Sequence, residues 1–129
     1  MKKTASHEDI SALQVNLASS DEIAVLGLHG DFVGSEVVHF RRACGEAQKE
    51  GLKDFVVDLS EVSSIDGYGL ASLVGLLSRT KNLEGRLVLC AINPELRTRF
   101  EATHCDVIFD TEFTVAKAVD KLKGARKGE

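Results

Sequence analysis

The sequence predicts a single α/β domain: a mixed, mostly parallel sheet that opens with an antiparallel hairpin and carries about four helices. Three observations lead there. Short apolar runs with the period of strands alternate with longer segments of helical period, in the order β-β-α-β-α-β-α-β-α. Only the first two strand-like runs follow each other without a helix between them, so they alone form a hairpin, and the later strands are joined by right-handed crossovers. A chain of 129 residues suits one core rather than two.

Leu13, Val15 and Leu17 alternate with Gln14 and Asn16, the period of a strand with one wet face, and Ser19-Ser20-Asp21 turns the chain. Ile23 to Leu28 is apolar throughout, as in a strand covered on both faces. From Ser35 the period changes. Val37, Phe40, Cys44 and Ala47 fall on one helical face, with Ser35 as the expected N-cap and Gly51 as the stop. Phe55 to Leu59 is the next strand, Ser60 to Ile65 is expected as a loop, and Leu70, Leu73, Val74 and Leu77 describe a helix to about Lys81, capped by Asp66. Arg86 to Ala91 is a buried strand. Asn93-Pro94-Glu95 then starts a helix with cap, N1 proline and first-turn acid in the preferred order, and Leu96 and Phe100 face inward. Val107-Ile108-Phe109 is the expected last strand, and Thr111 the expected cap of a closing helix whose inner face carries Val115, Ala116, Val119 and Leu122. The domain is expected over residues 9–123, with residues 1–8 and 124–129 as flexible termini.

Composition narrows the function classes. Lys plus Arg number 16 against 20 Asp plus Glu, a formal charge of −4, without the basic excess of a nucleic-acid binder. One Tyr, no Trp and six Phe make no platform for stacking bases. No apolar run approaches the ~20 residues that cross a bilayer, and the polar N-terminus does not read as a signal peptide, so no membrane insertion is expected. Cys44, Cys90 and Cys105 are an odd number without a C-x-x-C pair and read as buried filler in a reducing cytoplasm.

No enzyme motif is present. The chain has no G-x-x-x-x-G-K-[ST] loop and no G-x-S-x-G elbow. His29 with Asp31 and His104 with Asp106 make pairs, but no third ligand is suggested, so neither metal nor cofactor is expected. What stands out is Asp58 to Leu70, which puts a glycine-flanked turn at the start of a helix just past the end of a buried strand, the edge where α/β sheets usually carry function. Such a turn suits an anion or a phosphorylated side chain; equally, Asp66 caps while Gly67 and Gly69 only permit close backbone approach.

Over about residues 11 to 122 the sequence resembles the STAS domain. The resemblance rests on Val56-Val57-Asp58-Leu59-Ser60 with Val62, Ile65-Asp66-Gly67-Tyr68-Gly69-Leu70, Leu73 with Val74, Gly85 before Leu87-Val88-Leu89, and Phe109 before the closing helix with Ala118. It implies a cytoplasmic, bacterial, non-catalytic binding module of the anti-sigma factor antagonist (anti-anti-sigma factor) kind, acting in signal transduction and transcription regulation. Such a module docks on an anti-sigma factor, often a GHKL-type serine kinase, which phosphorylates the residue after the motif's aspartate. Here that residue is Gly67, which has no hydroxyl. Val33 likewise stands where the family commonly has an aspartate.

Three readings stay open: a permanently competent antagonist; phosphorylation moved to Ser63, Ser64, Tyr68 or Ser72; or a STAS subunit of an ABC-type lipid transport system or a stress-signalling scaffold. The expected partner surface comprises Val33, Gly34, Ser35, Asp66, Gly67, Tyr68, Gly69 and Ser72, with Tyr68 as anchor, since an aromatic with a polar tip at an exposed turn is a typical hot spot. A homodimer is a further expectation. The basic run Lys121, Lys123, Arg126 and Lys127 is expected to complement the helix dipole and aid solubility.

Overall fold

The computed structural model describes residues 12–127. The two opening strands, β1 (Leu13–Ser20) and β2 (Ile23–Phe32), pair antiparallel through a two-residue turn in which Asp21 and Glu22 both have positive φ, 53° and 65°. That is the mirror-image turn whose twist matches a hairpin. A 3₁₀ turn at Gly34–Glu36 leads into α1 (Val37–Lys49), whose apolar stripe Val37, Phe40, Ala43, Cys44 and Ala47 is buried. Ser35 lies inside the 3₁₀ turn and does not cap α1. Glu36 holds the cap position with helical dihedrals and no side-chain cap bond, because the 3₁₀ turn has already bent the chain. Gly51, at φ 86°, closes the helix as expected.

β3 (Asp54–Ile65) is twelve residues long and absorbs the segment expected as a loop. Its pairing with β2 slips twice, between Gly27 and His29 and between Gly30 and Asp31, each slip adding one residue to β3. The buried positions after the first slip are therefore Leu59, Val62 and Ile65, every third residue instead of every second. α2 (Gly67–Asn82) follows, and its inner face is Leu70, Leu73, Leu76 and Thr80; Val74, expected inward, is 39% exposed.

β4 (Leu87–Cys90) and α3 (Pro94–Ala102) come next. Asn93 caps α3 through its side chain, which accepts from the Leu96 N–H at 2.9 Å. The last strand is not Val107–Phe109. Cys105–Val107 is a 3₁₀ turn with Val107 77% exposed, and only Phe109 points inward, edge-on to Phe100 at 5.9 Å. β5 (Asp110–Glu112) starts one residue later. α4 (Val115–Lys127) is capped by Thr114, whose Oγ1 accepts from the Lys117 N–H at 3.1 Å, while Thr111 sits within β5. Its packed face is Val115, Ala118, Val119 and Leu122, and Ala116 is exposed. The helix runs through 124–127, part of the end expected to be flexible; residues 1–8 and 128–129 lie outside the described residues.

Among the described residues the sheet order is β1-β2-β3-β4-β5, antiparallel only between β1 and β2. α1, α2 and the Leu96–Phe100 face of α3 cover the larger core on one face. Among the described residues α4 alone covers the other, over Ile23, Val56, Val88 and Cys90. The basic end of α4 is tied to the sheet by Lys121 to Glu112 at 3.5 Å and Lys123 to Asp21 at 3.2 Å, so these two lysines do more than complement the dipole. No helix among the described residues is long and apolar enough to cross a membrane.

Candidate functional site

The site begins with one carboxylate. Asp66 follows β3 with extended backbone (φ −120°, ψ −170°), the conformation an N-cap needs. Its Oδ1 accepts from the Gly69 N–H at 3.0 Å, satisfying a donor of the first turn of α2. Its Oδ2 accepts from the Gly34 N–H, also at 3.0 Å, 32 residues away in sequence. One side chain thus caps a helix and fastens the turn after β2 to it. This brings the two segments singled out from sequence, 33–35 and 66–69, into one surface.

The glycines of this surface carry opposite constraints. A Cβ on Gly69 would lie 2.3 Å from the Phe32 carbonyl oxygen and 2.8 Å from Ile65 Cγ1, so only glycine lets α2 approach the end of β2 this closely. At Gly67 a Cβ would meet nothing within 4 Å. Gly34 has φ 52°, a left-handed turn that favours glycine. Ser35 and Gly67 are exposed, and Val33 and Gly34 are half-buried.

Tyr68 projects from the first turn of α2 with 69% of its surface exposed. It does not lie back on the sheet edge. Ser72 is not part of this surface: it is 8% exposed, and its Oγ donates to the Gly69 carbonyl at 2.8 Å, which makes it a brace beneath the turn. Gly69 is likewise buried and shapes the surface from below.

Of the serines weighed as alternative acceptors, Ser63 and Ser64 are both exposed on β3. Ser64 Oγ donates to Asp31 Oδ1 at 2.9 Å, so a phosphate there would face a carboxylate. That pair was not foreseen from sequence; the acid in Gly30-Asp31-Phe32 was its only signal. The two serines and Ile65 also border a cleft of about 420 Å³ against Leu96, Thr98 and Arg99 of α3. Asn93 steadies its far wall, its Nδ2 donating to the Val62 carbonyl at 3.4 Å.

The titratable groups offer little for covalent chemistry. Burial pushes the Cys44 thiol up to about 12, against the opposing charge of Arg79, and burial with the nearby Asp58 charge pushes Cys90 up to about 12. Both therefore stay protonated and poor as nucleophiles at neutral pH. Among the described residues no group of three His, Cys, Asp or Glu converges as a metal site, and His29 instead lies 3.8 Å from Glu61. What the surface offers is two turns held together by one carboxylate and an exposed phenol at a helix start.

The family model for the STAS domain matches residues 14–118. The crystal structure of an anti-sigma factor antagonist from Mycobacterium paratuberculosis is similar at TM-score 0.77 and 19% identity, covering 88% of this chain and 97% of that one. The Bacillus cell fate determinant SpoIIAA in its phosphorylated form gives TM-score 0.66 at 20% identity, over 84% and 98%. A chain from the stressosome, described as a signal integration and transduction hub, gives 0.67 at 19%, over 86% and 98%. At these identities the structures testify to a common fold, and the sequence match over most of the chain makes it a family: the protein belongs to the STAS domain family.

Proposed function

We propose that this protein is a non-catalytic docking module of the anti-sigma factor antagonist kind, engaging an anti-sigma factor or GHKL-type serine kinase through the 33–35 and 66–69 turns. The observation that carries this is the Asp66 carboxylate, which holds both turns rigid at 3.0 Å and leaves Tyr68 projecting from them. A surface ordered before contact loses little entropy on binding. Membership of the STAS domain family and the likeness to antagonist structures support the reading.

With glycine at 67 the module carries no acceptor hydroxyl at the family's usual position. Docking is then permanently competent, because adding charge at the turn is the means by which a kinase would weaken it. A second reading, a scaffold in a stress-signalling assembly, draws on the similarity to the stressosome chain and uses the same turn.

The test is a pull-down from the native cell with the tagged wild type, followed by mass spectrometry of the bound proteins and of residues 60–80. Recovery of an anti-sigma factor or GHKL-type kinase is expected; recovery of transporter ATPase and permease subunits would replace this reading with transport. Against the recovered partner, Tyr68→Ala is expected to lower affinity about thirtyfold, near 2 kcal/mol. Its melting temperature should stay at the wild-type value, since the ring is exposed. Calorimetric titration showing less than ~0.5 kcal/mol of lost affinity would reject the anchor.

Gly67→Ser should fold as the wild type does, within about 0.5 kcal/mol, because nothing lies within 4 Å of the new Cβ. The recovered kinase is expected to phosphorylate this variant at the turn and to leave the wild type unmodified. Stoichiometric phosphate on Ser63 or Ser64 of protein from native cells would show instead that the switch has moved.

A further inference from the structure

The two edges of the sheet are built in opposite ways. β5 is three residues long and acidic at both ends, with Asp110 paired to Arg86 at 2.9 Å and Glu112 to Lys121 at 3.5 Å. β1 is eight residues long, has no charged residue and no proline, and runs against β2 without a bulge. Edge strands are ordinarily blunted by shortness, charge, proline or bulges, because a long plain edge is a template for another strand. β5 has the first two guards, and β1 has none.

The phase of the hydrogen bonds along β1 is fixed at its start. The Asp31 N–H donates to the Ala12 carbonyl at 2.8 Å, so even-numbered residues turn their backbone groups toward β2 and Leu13, Val15, Leu17 and Ser19 turn theirs outward. The first of these outward donors, the Leu13 N–H, is taken up by Glu36 Oε1 at 2.9 Å. Among the described residues no strand pairs with the rest of this edge. Beside it, β1 and α1 border a cleft of about 510 Å³ whose wall includes Asn16, His39, Arg42 and Glu46. Arg42 and Glu46 lie one helical turn apart, a cation and an anion along the same wall.

We infer that β1 is a pairing edge for a second copy of this chain, which adds to it as an antiparallel β1–β1 ladder about a two-fold axis. The hydrogen-bond phase restricts the register, since outward-facing residues bond only to outward-facing residues. A ladder centred on Asn16 sets Val15 opposite Leu17 with both backbone bonds of that pair, and at each end the Leu13 carbonyl accepts from the Ser19 N–H while the Leu13 N–H stays on Glu36. The same axis runs the two α1 helices antiparallel on one face of a continuous sheet, bringing Arg42 of one copy toward Glu46 of the other. This self-complementary charge pattern selects a second copy over an unrelated strand. The inference does not rest on the docking surface, and Tyr68 takes no part in it.

Sedimentation velocity over about 1 to 100 µM is expected to show a monomer–dimer equilibrium, a range that spans weak specific interfaces. Hydrogen exchange should show the amides of Val15, Leu17 and Ser19 gaining protection as concentration rises. Asn16→Lys sets like charges opposite each other at the axis and should weaken the dimer at least about tenfold. Its side chain is exposed, so an unchanged melting temperature at low concentration will show that the fold is intact. Arg42→Glu should weaken the dimer as well, and the double exchange Arg42→Glu with Glu46→Arg should restore it. A wild type that stays monomeric throughout, or an Asn16→Lys variant that dimerises like the wild type, overturns the inference.

Discussion

Replacing Asp66 with alanine is expected to lower the unfolding free energy by about 2 to 3 kcal/mol, although the residue is only half-buried and forms no ion pair among the described residues. Loss of the cap leaves the Gly69 N–H without its acceptor, a cost of about 1 kcal/mol for an ordinary cap. The second half of the effect is tertiary. The Gly34 N–H loses its 3.0 Å partner, and the turn after β2 is no longer tied to α2. Urea unfolding of Asp66→Ala and Asp66→Asn separates the two contributions, because asparagine keeps one acceptor oxygen and should recover about half the loss. Partner affinity should fall by more than Tyr68→Ala alone produces, because both turns lose their fixed geometry. A loss below about 0.5 kcal/mol with full docking would mean that the carboxylate organises nothing.

Alkaline solution is expected to destabilise the fold steeply, and the cause is two buried thiols. Cys44 and Cys90 hold their protons to about 12 when folded, against 9.0 for the ordinary thiol. Above pH 9 the unfolded chain therefore binds fewer protons than the folded one, and stability falls as pH rises toward 12. Each thiol contributes up to about 1.4 kcal/mol per pH unit within that window, and neither contributes a slope below it. Denaturant unfolding at pH 8, 9, 10 and 11 measures the slope, and the Cys44→Ala/Cys90→Ala double variant should flatten it. An equal slope in the two proteins would show that the thiols are not its cause. At pH 8 thiol reagents should modify half-buried Cys105 and spare the other two until the chain unfolds.

The parts of the fold legible in the sequence are those where one residue type has one local use. Asp66 and Asn93 were readable as caps because a short acceptor before a helical period has few other purposes, and both accept from the third residue of their helix. The core strands were readable because strands buried on both faces are continuously apolar. Ser60 to Ile65 was not, because two bulges change the burial period from two to three, which matches neither strand nor helix. The end of the chain misled for a related reason. Val107 and Ile108 have the composition of a strand but occupy an exposed turn, and Phe109 is inward only because it meets Phe100 from another element. Ser35 and Thr111 were credible caps by type, yet the 3₁₀ turn and Thr114 decided where α1 and α4 begin.

The site was legible as a stretch of chain but not as a shape. Sequence placed Val33 to Ser35 beside Asp66 to Gly69, and the structure joins them by a single side chain. It did not reveal that Ser72 and Gly69 lie beneath the surface, because that depends on the approach of β2 to α2, or that Ser64 is engaged by Asp31, because that depends on the register of β2 and β3 after its second slip.

That approach divides heredity from architecture across two neighbouring positions. Position 69 admits a single residue, since any side chain would strike the Phe32 carbonyl, whereas position 67 opens onto empty space and admits almost any. Some glycine codons lie one base from a serine codon, so a lineage can gain or lose a phosphate acceptor at 67 by one substitution without disturbing a packed atom. A hydroxyl at this turn is, in this geometry, a matter of one codon and not of the fold.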